Sequence, residues 1–427
     1  MKRLSPWGDR HAWGDVDRLL GIHGWGLLGK ETGRVAIVVR YRFYLSLCVP
    51  ATGVKRTMID QSTSPTDAQM NEIGFYTLAG APKSPRDLIA EVQMAETLGI
   101  GSCFISERFN IKEIATLSGA VGAVSSKIGI ATAATNHNTR HPMVTAAYAS
   151  TMHFLTEGRF SLGLGRGIDA VFKAFGLPKI TTAQMEDFAQ MMRKLHHGET
   201  IIGHDGPAGK WPALRLDPAF DEHIPLTLTA FGPNSLALGG RAFDAVVLHT
   251  FFTDETTERV VKNVKDAAEK AGRNPKDVRV WSCFATIGDH LPYDIRLKKT
   301  VGRMSTYLQA YGDLMVRTND WDPEILKRFR ANEFVAKFQG ALDQKATTSE
   351  LEMVAELIPE EWLASAATGS PEDCAKAIQG QFDLGCDGVI LHGASPTELA
   401  PIVECYRGQR DHDRFANLPA NPALAPR

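Results

Sequence analysis

The sequence predicts a (β/α)8 TIM barrel, and three observations point there. From Ile73 onward strand-like and helix-like segments alternate, and eight of them read as strands. Most of the eight are continuous apolar runs rather than alternating ones, the pattern of strands covered on both faces in a parallel sheet. One unit also recurs at both ends of this region. Ser84-Pro85-Arg86-Asp87 opens a helix that Gly99 closes fifteen residues after the serine, and Ser370-Pro371-Glu372-Asp373 opens another that Gly385 closes at the same spacing. Right-handed crossovers of eight such units close into a barrel. A doubly wound open sheet is the rival, and the regular spacing of eight units favours closure.

The first strand reads IGFYTLA, 73–79. In the helix after it, serine suits the N-cap, proline the first helical position and Asp87 the end of the first turn. Leu88, Val92 and Ala95 fall on one face of that helix. SCFIS, 102–106, is the second strand. The third and fourth flank the most informative stretch, residues 127–167. There an apolar run (128–134) ends in a polar loop (135–141), Pro142 opens a helix, and Glu157-Gly158-Arg159 turns the chain into a strand that ends in glycines. Later strands fall near 225–230, 245–250, 278–285 and 388–392, with helices around 143–155, 182–196, 234–241 and 255–271. Two segments exceed the plan: a polar excursion at 199–223 and a charged helical insertion at 290–369, before the last strand. Insertions at the active face of a barrel commonly form lids or substrate walls.

The chain has 427 residues, 44% hydrophobic and 22% charged, with a net charge of −2, so nothing argues for a nucleic-acid surface. The six cysteines (48, 103, 283, 374, 386 and 405) form no C-x-x-C pair, which argues against a zinc site or a disulfide framework and for a reducing cytoplasm. The apolar run at 35–49 is broken by Arg40 and Arg42 and is too short to span a bilayer. Residues 1–70 are expected to contribute nothing to the fold, either as an extension or as sequence upstream of a natural start at Met58 or Met70. Residues 71–408 then form the barrel domain and 409–427 a flexible tail.

Small residues gather at the carboxyl ends of strands, where parallel α/β proteins bind ligands and where a missing side chain lets a flat ring reach the backbone. Gly163-Leu164-Gly165-Arg166-Gly167 follows a strand but fails the G-x-G-x-x-G dinucleotide spacing, because position 168 is Ile. It reads either as a cofactor-facing loop, with Arg166 near an anionic group, or as a glycine-rich turn. Ala230-Phe231-Gly232-Pro233-Asn234-Ser235 opens a helix whose free amides suit phosphate, capping alone being the alternative. Glu107-Arg108 closes the second strand and suits a proton relay with an anion contact, or else a salt bridge. His137 and His141 are four apart in a loop rather than on a helix face, so no metal site is expected. His137 and His392 are candidates for the substrate pocket; for His392 a buried histidine bonded to backbone is the alternative.

Four segments carry a family resemblance: IGFYTLAG, CFISERF, IATAATNHNTRHP with EGRFSLGLGRG, and TAFGPNSLALGGRAFDAVVL. Together they resemble the bacterial luciferase-like superfamily of barrel oxidoreductases, above all its branch using the 5-deazaflavin coenzyme F-420. The resemblance spans about residues 73–407. It implies a small-molecule substrate, no nucleic-acid or membrane partner, and a homodimer. It implies too that the third strand ends in a bulge, often with a cis non-proline peptide, here at about Thr132–Ala133, supporting the ring. Thr132, Ala133, Asn136, Gly163, Gly165, Arg166, Gly167, Ala230, Phe231, Gly232 and Asn234 would then hold the cofactor. The deazaflavin sugar-phosphate dehydrogenases carry an Asp-His pair where this chain has Glu107-Arg108, and a catalytic Glu where it has Ile168. A sugar phosphate is therefore not the expected substrate, while Glu107 and Arg108 remain the catalytic candidates. The expected reaction is hydride transfer between F-420 and an organic substrate. The alternatives are an FMN-dependent monooxygenase and a non-catalytic flavin- or deazaflavin-binding protein.

Overall fold

The structure is a computed structural model that describes residues 69–80, 82–109 and 111–426. In chain order the first strands are β1 (Met70–Tyr76), β2 (Ile100–Ile105), β3 (Gly129–Thr132) and β4 (Phe160–Leu164). A two-stranded antiparallel hairpin follows, β5 (Ile201–Gly206) and β6 (Gly209–Leu214). Then come β7 (Leu226–Thr229), β8 (Ala245–Val247), β9 (Arg279–Gly288), β10 (Ala367–Gly369) and β11 (Gly388–His392). Eight of them pair in parallel in the order β1-β2-β3-β4-β7-β8-β9-β11, and β11 returns to β1, so the ring is closed. Short β10 extends the far end of β9 outside the ring.

The closed barrel and the helical insertion follow the sequence expectation, with particular departures. β1 starts three residues before Ile73, because Met70 and Glu72 are fully buried. Glu72 is held there by Arg410, whose Nε and Nη2 lie 2.5 and 3.0 Å from its two oxygens, and by the Tyr406 hydroxyl at 3.1 Å. The domain boundary at residue 70 is thus corrected, since Met70 belongs to the barrel; residues 1–68 lie outside the described residues. The hairpin and the helices Ile114–Val124 and Asp169–Ala174 had not been anticipated. Ser370 forms the full capping box, whereas at Ser84 the regular helix starts only at Asp87 and the serine oxygen accepts from Arg86 N at 3.1 Å.

Side chains alternate across each strand. Residues such as Cys103, Val280, Val389 and Leu391 are buried, the outward ones packing against the helices in the main core. Phe104, Ala131, Ala245, Val247, Trp281, Cys283 and Ile390 fill the barrel interior, where Phe104 and Trp281 meet edge to face at 5.0 Å. The lower end of that interior is closed by residues 420–424. Ala423 is fully buried, Trp281 Nε1 donates to Pro422 O at 2.7 Å, and Asn421 Nδ2 donates to Gly158 O and Phe160 O at 2.7 and 2.8 Å. Gly129 has room for no side chain, since a Cβ there would lie 1.9 Å from Ala420 O. The expectation of a flexible tail at 409–427 is therefore corrected for residues 409–426: a short helix, His412–Phe415, leads into a Pro-rich turn in which Leu424 N donates to Asn421 O at 3.3 Å, and that turn packs as a plug.

The insertion runs from Tyr293 to Leu363 as a series of helices with a second core of its own, including Met304, Leu308, Phe329 and Trp362. Trp321 stacks on Trp362 at 4.3 Å. None of the described helices is long and apolar enough to cross a membrane.

Candidate active site

The inward rows of the barrel, continued to its carboxyl end, lead to the residues that line its mouth. Two places beyond Val247 stands His249, and two beyond Ile390 stands His392; both keep partial exposure. Phe231 follows Thr229 in the same way at the end of β7. Its ring stacks on His249 at 3.9 Å with an interplanar angle of 11°. Tyr76, ending β1, meets His392 edge to face at 5.5 Å. The insertion completes this aromatic half. Its helix Arg303–Asn319 presents Arg303, Tyr307 and Tyr311 at fourfold spacing, hence on one face. Tyr307 and Tyr311 lie 5.1 and 5.5 Å from His249. The backbone is irregular just before these residues and at the last of them: a π-helical turn, Lys298–Gly302, precedes the helix, and Tyr311 itself has φ −136°. Such irregularities often accompany functional sites.

The opposite half of the mouth is built from small residues. β3 ends in a bulge with a cis peptide at Ala133–Ala134, one bond later than the resemblance implied. Backbone bonds fasten the bulge on both sides: Ala133 N to Ile105 O (2.6 Å), Glu107 N to Ala134 O (3.3 Å), Thr135 N to Gly163 O (3.0 Å) and Gly165 N to Thr135 O (2.9 Å). Side chains repeat the stitching, with Thr132 Oγ1 donating to Gly163 O at 2.8 Å and Asn136 Nδ2 to Gly165 O at 2.7 Å. The glycines are dictated by the same packing. A Cβ at Gly163 would lie 1.7 Å from Thr132 O, and one at Gly165 would lie 2.4 Å from Thr229 Oγ1 and 2.8 Å from Ala134 Cβ. Gly232 differs, since the nearest atom to a Cβ there is Leu314 Cδ1 at 3.7 Å.

Charge at the mouth is concentrated where β1 and β2 end. Glu107 has both carboxylate oxygens engaged: Thr135 Oγ1 donates at 2.6 Å, Arg140 Nη1 at 3.1 Å, and Arg140 Nη2 bonds the other oxygen and also Glu113. The Glu107 side chain is 2% exposed, and its hydrogen bonds and charge raise the Arg140 pKa above its ordinary value. Arg108 turns the other way, donating from Nη1 to Gly80 O at 2.9 Å. Lys112 is buried, its ammonium bonded to Leu78 O at 3.0 Å and Ser106 Oγ at 3.1 Å; burial, then repulsion from Arg108, pushes its pKa down to about 7. His249 is pushed down to about 4 by burial. Burial, followed by the charge of Arg303, holds His392 well below its ordinary value, and its Nδ1 has no partner.

The structure thus brings together Ala133, Gly163, Gly165, Ala230, Phe231, Gly232, Arg108 and His392 around the carboxyl end of the barrel. Arg166 bonds Thr182 Oγ1, and Gly167 and Asn234 are exposed on the rim. His137 goes elsewhere, a correction to its place among the pocket candidates. Its ring packs on Phe188 of the outer helix Thr182–His196 at 5.6 Å, and burial pushes it down to about 4. Sequence reasoning missed His249, Arg303, Tyr307 and Tyr311. Two signals were present: β8 and β11 lead into matching Leu-His pairs, VVLHT and VILHG, and Arg303, Tyr307 and Tyr311 are spaced by four.

The model of the family described as luciferase-like monooxygenase matches residues 62–388. A 5,10-methylenetetrahydromethanopterin reductase from Methanolobus tindarius is 25% identical over 319 residues, covering 72% of this chain and 91% of the relative. Among solved structures, the coenzyme F420 dependent tetrahydromethanopterin reductase from Methanopyrus kandleri superposes with a TM-score of 0.66 at 17% identity, covering 80% of this chain and 99% of its own. The oxygenating constituent of 3,6-diketocamphane monooxygenase from Pseudomonas putida, in complex with FMN, superposes with a TM-score of 0.54 at 19% identity, over 79% of this chain and 96% of its own. With a closed eight-stranded barrel, a mouth walled by its strand ends and a family match over most of its length, the chain belongs to the luciferase-like monooxygenase family and is an oxidoreductase.

Proposed function

We propose that this protein is a deazaflavin-dependent oxidoreductase, moving a hydride between bound coenzyme F-420 and a small organic substrate at the barrel mouth. The observation that carries the reading is the division of the mouth into a half of Ala and Gly and a half of aromatic and imidazole rings. A flat tricycle fits against Ala133, Ala134 and Gly165, where no side chain rises above Cβ, and Gly232 leaves open backbone on the rim. Deazaflavin supplies two-electron hydride chemistry when bound; the protein supplies orientation and electrostatics. Relatives named as F420 dependent add support.

The remaining work falls to named residues. Glu107, Arg140 and Thr135 hold the bulge from outside the barrel, which makes Glu107 a positioning residue on this reading, while Arg108 faces the pocket. His249 and His392, neutral at physiological pH, offer hydrogen bonds to a substrate without adding charge. Tyr307 and Tyr311 exclude water above it, and alignment at about 3–3.5 Å would make the transfer near-unimolecular.

FMN is the second reading, because a similar fold holds FMN in the diketocamphane enzyme. Apoprotein titrated with each cofactor separates the two. Tight binding of F-420 with weak binding of FMN is the expected result; saturable binding of FMN alone would overturn the proposal.

A further inference from the structure

Two guanidinium groups from distant parts of the chain meet at the mouth. Arg108 reaches in from the end of β2 and donates to Gly80 O at 2.9 Å. Arg303 reaches in from the insertion, and its Nη2 lies 3.9 Å from where a Gly80 Cβ would be. Beneath them sits the buried ammonium of Lys112, on the carbonyls of the same loop. Among the described residues one carboxylate bonds to any of these three cations, Asp343, which lies 3.0 Å from Arg303 Nη1. Glu91 is close but is committed to the Thr77 hydroxyl and the Leu78 amide, at 2.6 and 2.7 Å.

Like charges gathered in a partly desolvated recess repel one another, an arrangement that persists readily where it serves an anion. Burial and then the charge of Arg303 lower the Arg108 pKa, and the cations that depress His392 are Arg303, Arg108 and Lys112, so these groups sense one another. The surroundings define what lies beyond the anion. Arg303 sits over the Tyr307 ring at 5.8 Å, and Tyr307, Tyr311 and His249 continue away from it as a wall of flat rings.

We infer that the substrate is an organic carboxylate with a flat or unsaturated body, its carboxylate held between Arg108 and Arg303 and its body against His249, Tyr307 and Tyr311. This rests on the deazaflavin reading, which assigns the small-residue half of the mouth to the cofactor. Arg303 spends one edge of its fork on Asp343; Arg108 and the free edge of Arg303 supply planar donors that match a carboxylate. The cofactor's own anionic groups are the other source of the same chemistry, and the test separates them.

Benzoate and its neutral isostere benzamide are titrated calorimetrically into the protein, first alone and then saturated with F-420. Benzoate is expected to bind the cofactor-loaded protein at least about tenfold more tightly than benzamide, because only the charged head uses the guanidinium donors. Arg108→Gln should bring benzoate down to the benzamide level without altering F-420 affinity. Arg303→Lys, which keeps the charge on Asp343 but loses the fork, should weaken benzoate by a smaller factor. Equal affinities for the two probes, benzoate binding that vanishes once F-420 is bound, or unchanged benzoate affinity in Arg108→Gln would each overturn the assignment. Failure of F-420 to bind in the absence of benzoate would instead sink the cofactor reading, and the benzoate–benzamide comparison on the free protein would still decide this one.

Discussion

Replacing Arg140 with methionine should unfasten the small-residue side of the barrel mouth. Arg140 bridges Glu107, whose side chain is 2% exposed, and Glu113, whose side chain is 52% exposed. Without the guanidinium, Glu107 keeps only the Thr135 hydroxyl, at 2.6 Å, as a side-chain partner. Removing one member of a buried pair costs about 3–5 kcal/mol, because the other charge is left uncompensated. Glu113 regains water, so its share is about 0–1 kcal/mol. Arg140→Met is therefore expected to lose about 3–5 kcal/mol in urea unfolding, and F-420 affinity should fall with it, since Glu107 N and Thr135 anchor the bulge. Glu107→Gln should cost less, about 1–3 kcal/mol, because the amide keeps part of the hydrogen bonding and Arg140 still has Glu113. An Arg140→Met midpoint within the error of the parent protein would refute this account of the network. A Glu107→Gln variant with full stability but lost turnover would return Glu107 to proton transfer.

Three further outcomes are expected. Gly163→Ala, whose new carbon would lie 1.7 Å from Thr132 O, should destabilise the fold by at least about 1–3 kcal/mol; Gly232→Val should leave the thermal midpoint nearly unchanged while weakening F-420 binding in a fluorescence titration. Asn421→Ala removes three side-chain hydrogen bonds, those donated to Gly158 O and Phe160 O and the one accepted from Ala423 N, and should cost about 1–3 kcal/mol in denaturant unfolding, a loss that a mobile tail would not show. His137, His196 and His249, each held down to about 4 by burial, should make stability fall with acid. Their folded pKa lies below the unfolded value, so the unfolded chain binds more protons. The stability is complete above about pH 6.5 and drains away as the pH drops towards 4, by up to about 3 kcal/mol per histidine. A pH series of thermal midpoints checks this, and His196→Phe should flatten the slope.

The eight barrel strands were legible because continuous burial on both faces leaves apolar runs bounded by capping residues and glycines. The β5–β6 ribbon was hidden for the converse reason: its residues are almost all partly or fully exposed, only Leu214 being buried, and they include Pro212, so no apolar period stands out. The glycines at 163 and 165 stand out in the sequence for a proposed cofactor contact, and close strand-to-strand packing requires them as well. His249 and the trio Arg303, Tyr307 and Tyr311 were harder. Their spacing is visible, but their convergence depends on the insertion folding back over the barrel, which no local pattern encodes. Residues 420–424 were misread because a plug needs only a few small apolar side chains and backbone carbonyls, which in sequence look like a loose end.

On the proposed reading, the wall facing the substrate takes Arg303, Tyr307 and Tyr311 from a segment with its own hydrophobic centre, distinct from the strands that would cradle the redox ring. Selection for a new reactant can rewrite that segment while the ring's seat stays untouched. A barrel divided in this way behaves like a tool with an interchangeable jaw, and grafting the 290–369 region from a relative is the direct way to exchange it.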